Sequence, residues 1–458
     1  MNASLKGRLG WAMYDWAAQP LFTIIVTFIF GPYFVNQVVG SGGNGQALWA
    51  NTQAYAGFLL ALTAPFLGAY ADESNSRKPW VVGASILCAA ACALLWFATP
   101  GAHDARLVLI IVAVIISIWG AEAAIIFNNA MLPSLTTAGR IGRLSGLGWA
   151  LGYAGALLAL PVMLWVTGQL PGVPGPAFEG EWAAERLTGP FVAIWLIVFM
   201  VPFMLWTPDA RTSTSRQSRW KAVRRSLYST LAAVKELPSQ PNLLRYLLAR
   251  MAYYDGLNAI FAFGGVYAAA QFDWGTTELG LFGIIILLFG VPGCLLGGIL
   301  DDRIGAKRSL YLSVGGLFVT MTAILSIGDE KILFIVPAEF PTRETGLFAT
   351  APEWLMVGLA ALLGAFAGPS QSASRTLIAR LAPPEDIGKY FGLFALSGKA
   401  TSFLAPLMIG LLLTRVDERF AYSVILLFLA VGLILLAGVR ETRRSDARDP
   451  HLLTPPPA

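Results

Sequence analysis

Apolar runs of about 20 residues recur along nearly the whole chain, and no other feature limits the fold so sharply. A helix of that length rises about 30 Å and matches the hydrocarbon core of a bilayer. Twelve such runs fall at roughly 9–39, 50–71, 79–99, 107–131, 144–167, 188–207, 243–270, 277–300, 309–327, 353–378, 389–413 and 420–439. What lies between them leaves no room for a soluble domain. Only 13% of the 458 residues are charged, against about 25% in soluble globular chains. The expected fold class is an all-α polytopic membrane protein with twelve transmembrane helices.

Orientation follows from the basic residues. With the N-terminus inside, the expected cytoplasmic segments hold roughly 23 of the 32 Lys and Arg residues, which sets both termini in the cytoplasm of a cell-membrane protein. The net charge of +5 therefore reflects topology; the basic residues are scattered over short loops and form no nucleic-acid module. No cofactor or metal is expected. The two histidines, His103 and His451, fall in an external loop and the tail, so they build no metal site within the membrane. Cys88 and Cys92 read as small apolar helix residues. No nucleophile elbow or phosphate-cradling loop is present, which argues against an enzyme.

The chain divides into residues 1–207, a polar linker 208–242, residues 243–441 and a tail 442–458. In the linker, Trp220, Val223, Leu227, Leu231 and Val234 recur at helical spacing among basic residues, as in an amphipathic surface helix; a solvated charged linker is the alternative. The two large segments repeat one another. Gly68-Ala-Tyr-Ala-Asp72 followed by Arg77-Lys78 matches Gly298-Ile-Leu-Asp-Asp302-Arg303 followed by Lys307-Arg308. Gly146 to Gly152 with Pro161 matches Gly392 to Gly398 with Pro406. Two six-helix pseudo-repeats with a site at their interface are a transporter plan. In the repeated loop, glycine permits close helix approach, while the aspartate can face a helix N-terminus. Asp72, Arg77, Lys78, Asp302, Arg303, Lys307 and Arg308 are thus expected to hold the cytoplasmic side closed.

Charges inside the spans carry the chemistry. Intramembrane carboxylates are costly and mark sites by default, which singles out Asp15, Glu122 and Asp255 as candidate proton-coupling groups. Hydrocarbon burial favours the neutral acid; a structural carboxylate bonded to a helix end or to Arg250 is the alternative for Asp15 and equally for Asp255. Gln19 lies one turn from Asp15, and Asn258 is three residues from Asp255, so each pair is expected to share a helix face. Candidate substrate contacts are Gln19, Asn128, Asn129, Tyr254, Asn258, Gln371, Arg375 and Lys399. Lys399 could meet a substrate carboxylate or pair with Glu122; for Arg375, anchoring at the inner interface is an equal reading. Gly148-x-x-x-Gly152 and Gly364-x-x-x-Gly368 read as close helix contacts.

Tyr14-Asp15-Trp16-Ala17, Asn129-Ala-Met-Leu-Pro133, Tyr254-Asp255-Gly256, Ser374-Arg375 and Phe391-Gly392-Leu393-Phe394 through Lys399 form a set. That set resembles the "unknown major facilitator" family, which includes the vacuolar amino-acid effluxers of autophagy. The resemblance covers nearly the whole chain and implies the major facilitator fold, with solute movement by alternating access. The resulting expectation is a proton-coupled secondary transporter of a small polar organic solute, an amino acid or related zwitterion or anion. It is expected to work as a monomer among membrane lipids and to lean towards export. The alternative is a lipid or amphiphile flippase on the same fold.

Overall fold

The computed structural model describes residues 3–40, 43–73, 76–170, 172–176, 178, 180, 182–209, 235–274, 276–328, 331–333, 335–337, 347–383, 386–413 and 415–441. The amphipathic pattern expected at 220–234 and the tail 442–458 lie outside these residues.

A first set of helices comprises α1 (Leu5–Val38), α2 (Gly43–Glu73), α3 (Lys78–Leu94), α4 (Asp104–Leu135), α5 (Ile141–Val166) and α6 (Thr188–Trp206). A second comprises α7 (Pro241–Phe272), α8 (Thr276–Ile304), α9 (Ala306–Leu325), α10 (Ala351–Leu381), α11 (Ile387–Ser397), α12 (Leu404–Leu413) and α13 (Val424–Ala437). In the first set α1 packs on α5 and α6, α3 on α4 and α6, and α2 on α4. In the second, α8 and α9 pack on α10, while α7 and α9 pack on α13. The sets meet chiefly where α5 crosses α8 and α2 crosses α11. A short hairpin of β1 (Lys331–Ile332) and β2 (Val336–Pro337) follows α9.

Ten helices among the described residues are long and apolar enough to cross a membrane. Two expected spans fall outside that group. The seventh is α7, whose first half carries Arg245, Arg250 and Asp255; the eleventh is interrupted between α11 and α12. Leu205 and Ile434 remain more than 70% exposed, as a hydrocarbon-facing surface requires.

Two departures from regular helix bear on the interior. Pro20 brings no N–H to the ladder, and α1 continues from it as a π-helical stretch, Leu21–Phe28. There Thr27 donates to Phe22 O at 2.9 Å. Such turns gather at functional sites. In the second half, Gly398 ends α11, and Pro406 sits in the first turn of α12, where no intrahelical donor is needed. Between them Lys399–Phe403 leave the helix.

Both crossings between the sets depend on glycine. A side chain at Gly392 would lie 2.6 Å from Ala64 O, and one at Gly298 would lie 2.6 Å from Gly142 O. The backbones therefore touch at two places related by the internal repeat, as small-residue contacts allow. Gly148 is equally tight, with Asp15 Oδ2 2.5 Å from where its Cβ would stand.

Candidate functional site

Between the two sets lies a cavity of about 970 Å³. Phe28, Gln169 and Gly280 line it, so it reaches towards the face opposite the chain termini. Its polar lining is concentrated at the other end.

Two ion pairs cross the cavity from one set to the other. Arg375 on α10 donates from Nη1 to Asp15 Oδ2 of α1 at 2.9 Å and to Asn129 Oδ1 of α4 at 3.1 Å. Its Nε donates to Ser145 Oγ at 3.0 Å and its Nη2 to Ser145 O at 2.6 Å. Trp11 covers the guanidinium, its ring centroid 4.9 Å away. Arg375 is only 4% exposed and Asp15 14%. The second pair joins Lys399 Nζ, in the gap between α11 and α12, to Glu122 Oε1 of α4 at 2.9 Å. The acids belong to the first set and the bases to the second.

Most of the expected contacts gather here. Asp15, Gln19, Glu122 and Asn129 line the cavity from the first set; Tyr254, Asn258, Gln371, Arg375 and Lys399 do so from the second. The Lys399–Glu122 pair is one of the two arrangements open to Lys399. For Asp15, the partner is Arg375 instead of Arg250. Two residues do not reach the lining. Asn128 is fully buried one position round the helix from Asn129, and its carbonyl accepts from Trp11 Nε1 at 2.8 Å. Asp255 is 1% exposed and faces Thr401 and Arg250. The face of α7 that lines the cavity runs Arg250, Tyr254, Asn258, four residues apart; an i, i+3 pairing from Asp255 misplaced it by one position.

Arg250 entered the sequence reading only as a possible carboxylate partner, and its place in the cavity lining was missed. It donates to Phe394 O at 2.7 Å and Ser397 Oγ at 3.0 Å, and its guanidinium lies 3.5 Å from the Phe394 ring centroid. It thereby secures the end of α11 just before the break. Its four-residue spacing to Tyr254 and Asn258 was the available signal.

The face that carries the termini is closed by helix caps. Asp72, ending α2, accepts from Gly388 N and Lys389 N of α11, each at 2.7 Å. Asp302, ending α8, accepts from Gly142 N at 2.9 Å and Arg143 N at 3.1 Å of α5. Each carboxylate satisfies orphan amides at a helix N-terminus of the other set, where the dipole favours it. Further caps lie within each set. Asp209 accepts from Arg77 N and Lys78 N at 3.0 and 3.2 Å; Glu441 accepts from Ala306 N and Lys307 N at 3.0 and 2.8 Å. Lys78 Nζ reaches Thr207 O and Lys307 Nζ reaches Ala437 O.

The two halves draw the charge beside the capping aspartate from different places. Arg77 pairs with Asp72 at 3.0 Å, but Arg303 and Arg308 are exposed. In the second set Asp302 is met by Arg380 of α10 at 3.4 Å and by Arg143 of α5 at 3.6 Å. Arg380 also binds Glu441 Oε1 at 2.5 Å. The repeat keeps the charge but draws it from a different element.

Residues 46–448 match the family described as "Vacuole effluxer Atg22 like". The uncharacterized MFS-type transporter YxiO of Bacillus subtilis is 26% identical over 456 residues, covering 97% of each chain. Autophagy-related protein 22-1 of Neosartorya fischeri is 24% identical over 321 residues, covering 66% of this chain and 49% of that one. The chain thus spans about half the length of that fungal relative. Among solved structures, the proton:xylose symporter XylE superposes with TM-score 0.68 at 15% identity, covering 96% and 95% of the two chains. A bacterial homologue of the iron transporter ferroportin, outward-facing, gives TM-score 0.66 at 15% identity, covering 94% and 98%. These likenesses show the major facilitator fold, whose members are transporters and not enzymes. The chain is a multi-pass membrane protein and belongs to the Atg22-like vacuole effluxer family.

Proposed function

We propose that the chain is a secondary active transporter of a small polar organic solute, an amino acid or related zwitterion or anion. It works by alternating access between residues 1–207 and 243–441, as a monomer. On this reading α7 and the α11–α12 pair complete twelve crossings in the cell membrane, with both termini in the cytoplasm. The family's description as effluxers favours export.

The observation that carries the reading is the pairing of acids on one set with bases on the other. A zwitterion brings both charges to that arrangement. Its carboxylate takes Lys399 or Arg375 while its ammonium takes Glu122 or Asp15. The pairs can then part without leaving either member buried and bare, which is the expensive outcome. Protonation of Asp15 or Glu122 releases the same cations, which couples solute movement to a proton. Gln19, Asn129, Tyr254, Asn258 and Gln371 supply neutral contacts. Asp72, Arg77, Lys78, Asp302 and Lys307 hold the terminal face shut while the cavity is loaded from the other side.

A thermal-stability screen of the purified protein against amino acids, organic acids, sugars and lipids at two pH values tests this. A ligand at 100 times its dissociation constant stabilises by about 2.7 kcal/mol. A zwitterion that stabilises the wild type in a pH-dependent way, and loses its effect in Asp15→Asn or Glu122→Gln, is the expected result. Stabilisation by lipids alone would turn the reading to a flippase.

A further inference from the structure

One acidic side chain near the terminal face belongs neither to the cavity nor to the caps. Asp301 immediately precedes the capping Asp302 and is wholly buried. Neither of its carboxylate oxygens makes a hydrogen bond of regular geometry, and only hydroxyl groups approach them. Around it lie the hydroxyls of Ser309 and Thr376. Ser309 Oγ is itself buried and unpartnered. Thr376 Oγ1 donates its hydrogen to Ser372 O at 3.1 Å, so towards Asp301 it offers lone pairs, not a donor.

The charges facing Asp301 from neighbouring elements are already engaged. Arg380 of α10 gives its terminal nitrogens to Asp301 O, Asp302 Oδ1 and Glu441 Oε1. Lys307 of α9 gives its ammonium to Ala437 O. Arg143 of α5 lies 3.6 Å from Asp302. An ionised Asp301 would place a third carboxylate beside a guanidinium that two others share. A neutral acid suits the surroundings, since its O–H can donate to a hydroxyl lone pair.

The repeat shows that the fold does not require a carboxyl group here. Counting from Gly68 and Gly298, the residue matching Asp301 is Ala71, which is just as buried. Ala71 O accepts from Arg77 as Asp301 O accepts from Arg380, so the backbone role is met in both halves. Only the second carries the acid. Its place is also an interface between the sets: a side chain at Gly142 of α5 would collide with Asp301 Cβ. Parting α5 from α8 would therefore admit water to a carboxyl group that the closed face keeps dry.

We propose that Asp301 is a proton-binding site of the terminal-face gate, neutral while the face is closed and ionised when separation of α5 and α8 hydrates it. Because the two states hold the proton differently, pH biases the gate. The closed state binds the extra proton, so low pH favours closure, and the closed-to-open ratio falls by up to tenfold per pH unit on raising pH. The proposal rests on the reading of this face as a gate, but not on any choice of solute or on the cavity carboxylates.

Two measurements on the full-length protein in lipid nanodiscs test it. Infrared difference spectroscopy reads the carbonyl band of a neutral carboxylic acid. At neutral pH wild type is expected to show a band that Asp301→Asn and Asp301→Ala both lack. Ala71 is the precedent for the smaller variant, should the amide disturb folding. Spin labels at Ala138→Cys and Arg308→Cys, both exposed, report the distance across the face; the native cysteines are buried. The expected result is a closed fraction that falls as pH rises in wild type and stays constant in Asp301→Asn. A neutral-acid band unchanged in both variants overturns the proposal. So does a gate that opens with the same pH dependence with and without Asp301. A face that never opens, at any pH or with any solute, would instead refute alternating access, leaving the spectrum to decide whether Asp301 holds a proton.

Discussion

Asp15→Asn is the perturbation with the most direct consequence for the gate. In the closed state Arg375 is 4% exposed and has its counter-charge 2.9 Å away. The variant removes that charge and leaves Ser145 O, Ser145 Oγ and Asn129 Oδ1 as neutral acceptors at 2.6, 3.0 and 3.1 Å. Removing one member of a buried pair costs about 3–5 kcal/mol. Because three acceptors remain and Asp15 borders the cavity, the lower end of that range applies. About 3 kcal/mol corresponds to a closed-to-open ratio reduced by roughly a hundredfold. Spin-label distances across the terminal face measure the ratio. The double variant Asp15→Asn/Arg375→Met is expected to recover part of it, since no unpaired charge is left. A shift under about threefold, or single effects that add to within about 0.5 kcal/mol, would refute the argument.

Three other outcomes follow from the same geometry. Lys399→Ala frees Glu122 and removes a carboxylate partner, so binding of carboxylate solutes should weaken by about 10–100-fold in calorimetric titration, at 1.4 kcal/mol per decade; unchanged affinity would remove Lys399 from the site. Asp72→Ala and Asp302→Ala each uncap a helix at a cost of about 1 kcal/mol. Hydrogen exchange should then quicken at Gly388 and Lys389 in the first and at Gly142 and Arg143 in the second, with similar size in each. Gly68→Leu puts a side chain against the α11 backbone and should hold the terminal face open, read as a longer label distance; an unaltered distance would show that the α2–α11 contact is not part of the closure.

How far the site could be read from the sequence depends on what each residue's neighbour is. The repeats were legible because glycine, aspartate and the basic pair stand at fixed spacing along the chain. Glu122 and Lys399 were legible because an intramembrane charge demands a partner. Arg375 was harder: a cation near a helix end reads equally well as an interfacial anchor. Only the packing of α10 and of α1 on the same helix, α5, brings it to Asp15. Asp255 shows the limit of face arguments, since positions 254 and 255 differ by about 100° of helix rotation and one faces the cavity while the other faces the break in α11. Arg380 illustrates a different limit. The repeated loop motif placed basic residues beside Asp302 in the sequence, but another helix delivers the guanidinium that reaches it, and no spacing in the loop records that.

The size of the closure constrains how it opens. A solute that swings a gate from 1:99 to 99:1 must favour one state by about 5.5 kcal/mol. If opening left a member of each crossing pair buried and bare, the cost would be about 6–10 kcal/mol, more than that swing. The partners must therefore be replaced, by water, a proton or the solute's own charges. Glu122 and Lys399, 18% and 25% exposed, already border the cavity and can exchange partners there. Arg375 lines the same cavity, but at 4% exposed and bonded to the α5 backbone it exchanges partners less readily until α10 parts from α5. The pair at the cavity floor, more than the one nearer its mouth, thus sets the height of the barrier, and a solute that reaches Asp15 gains the most leverage over it.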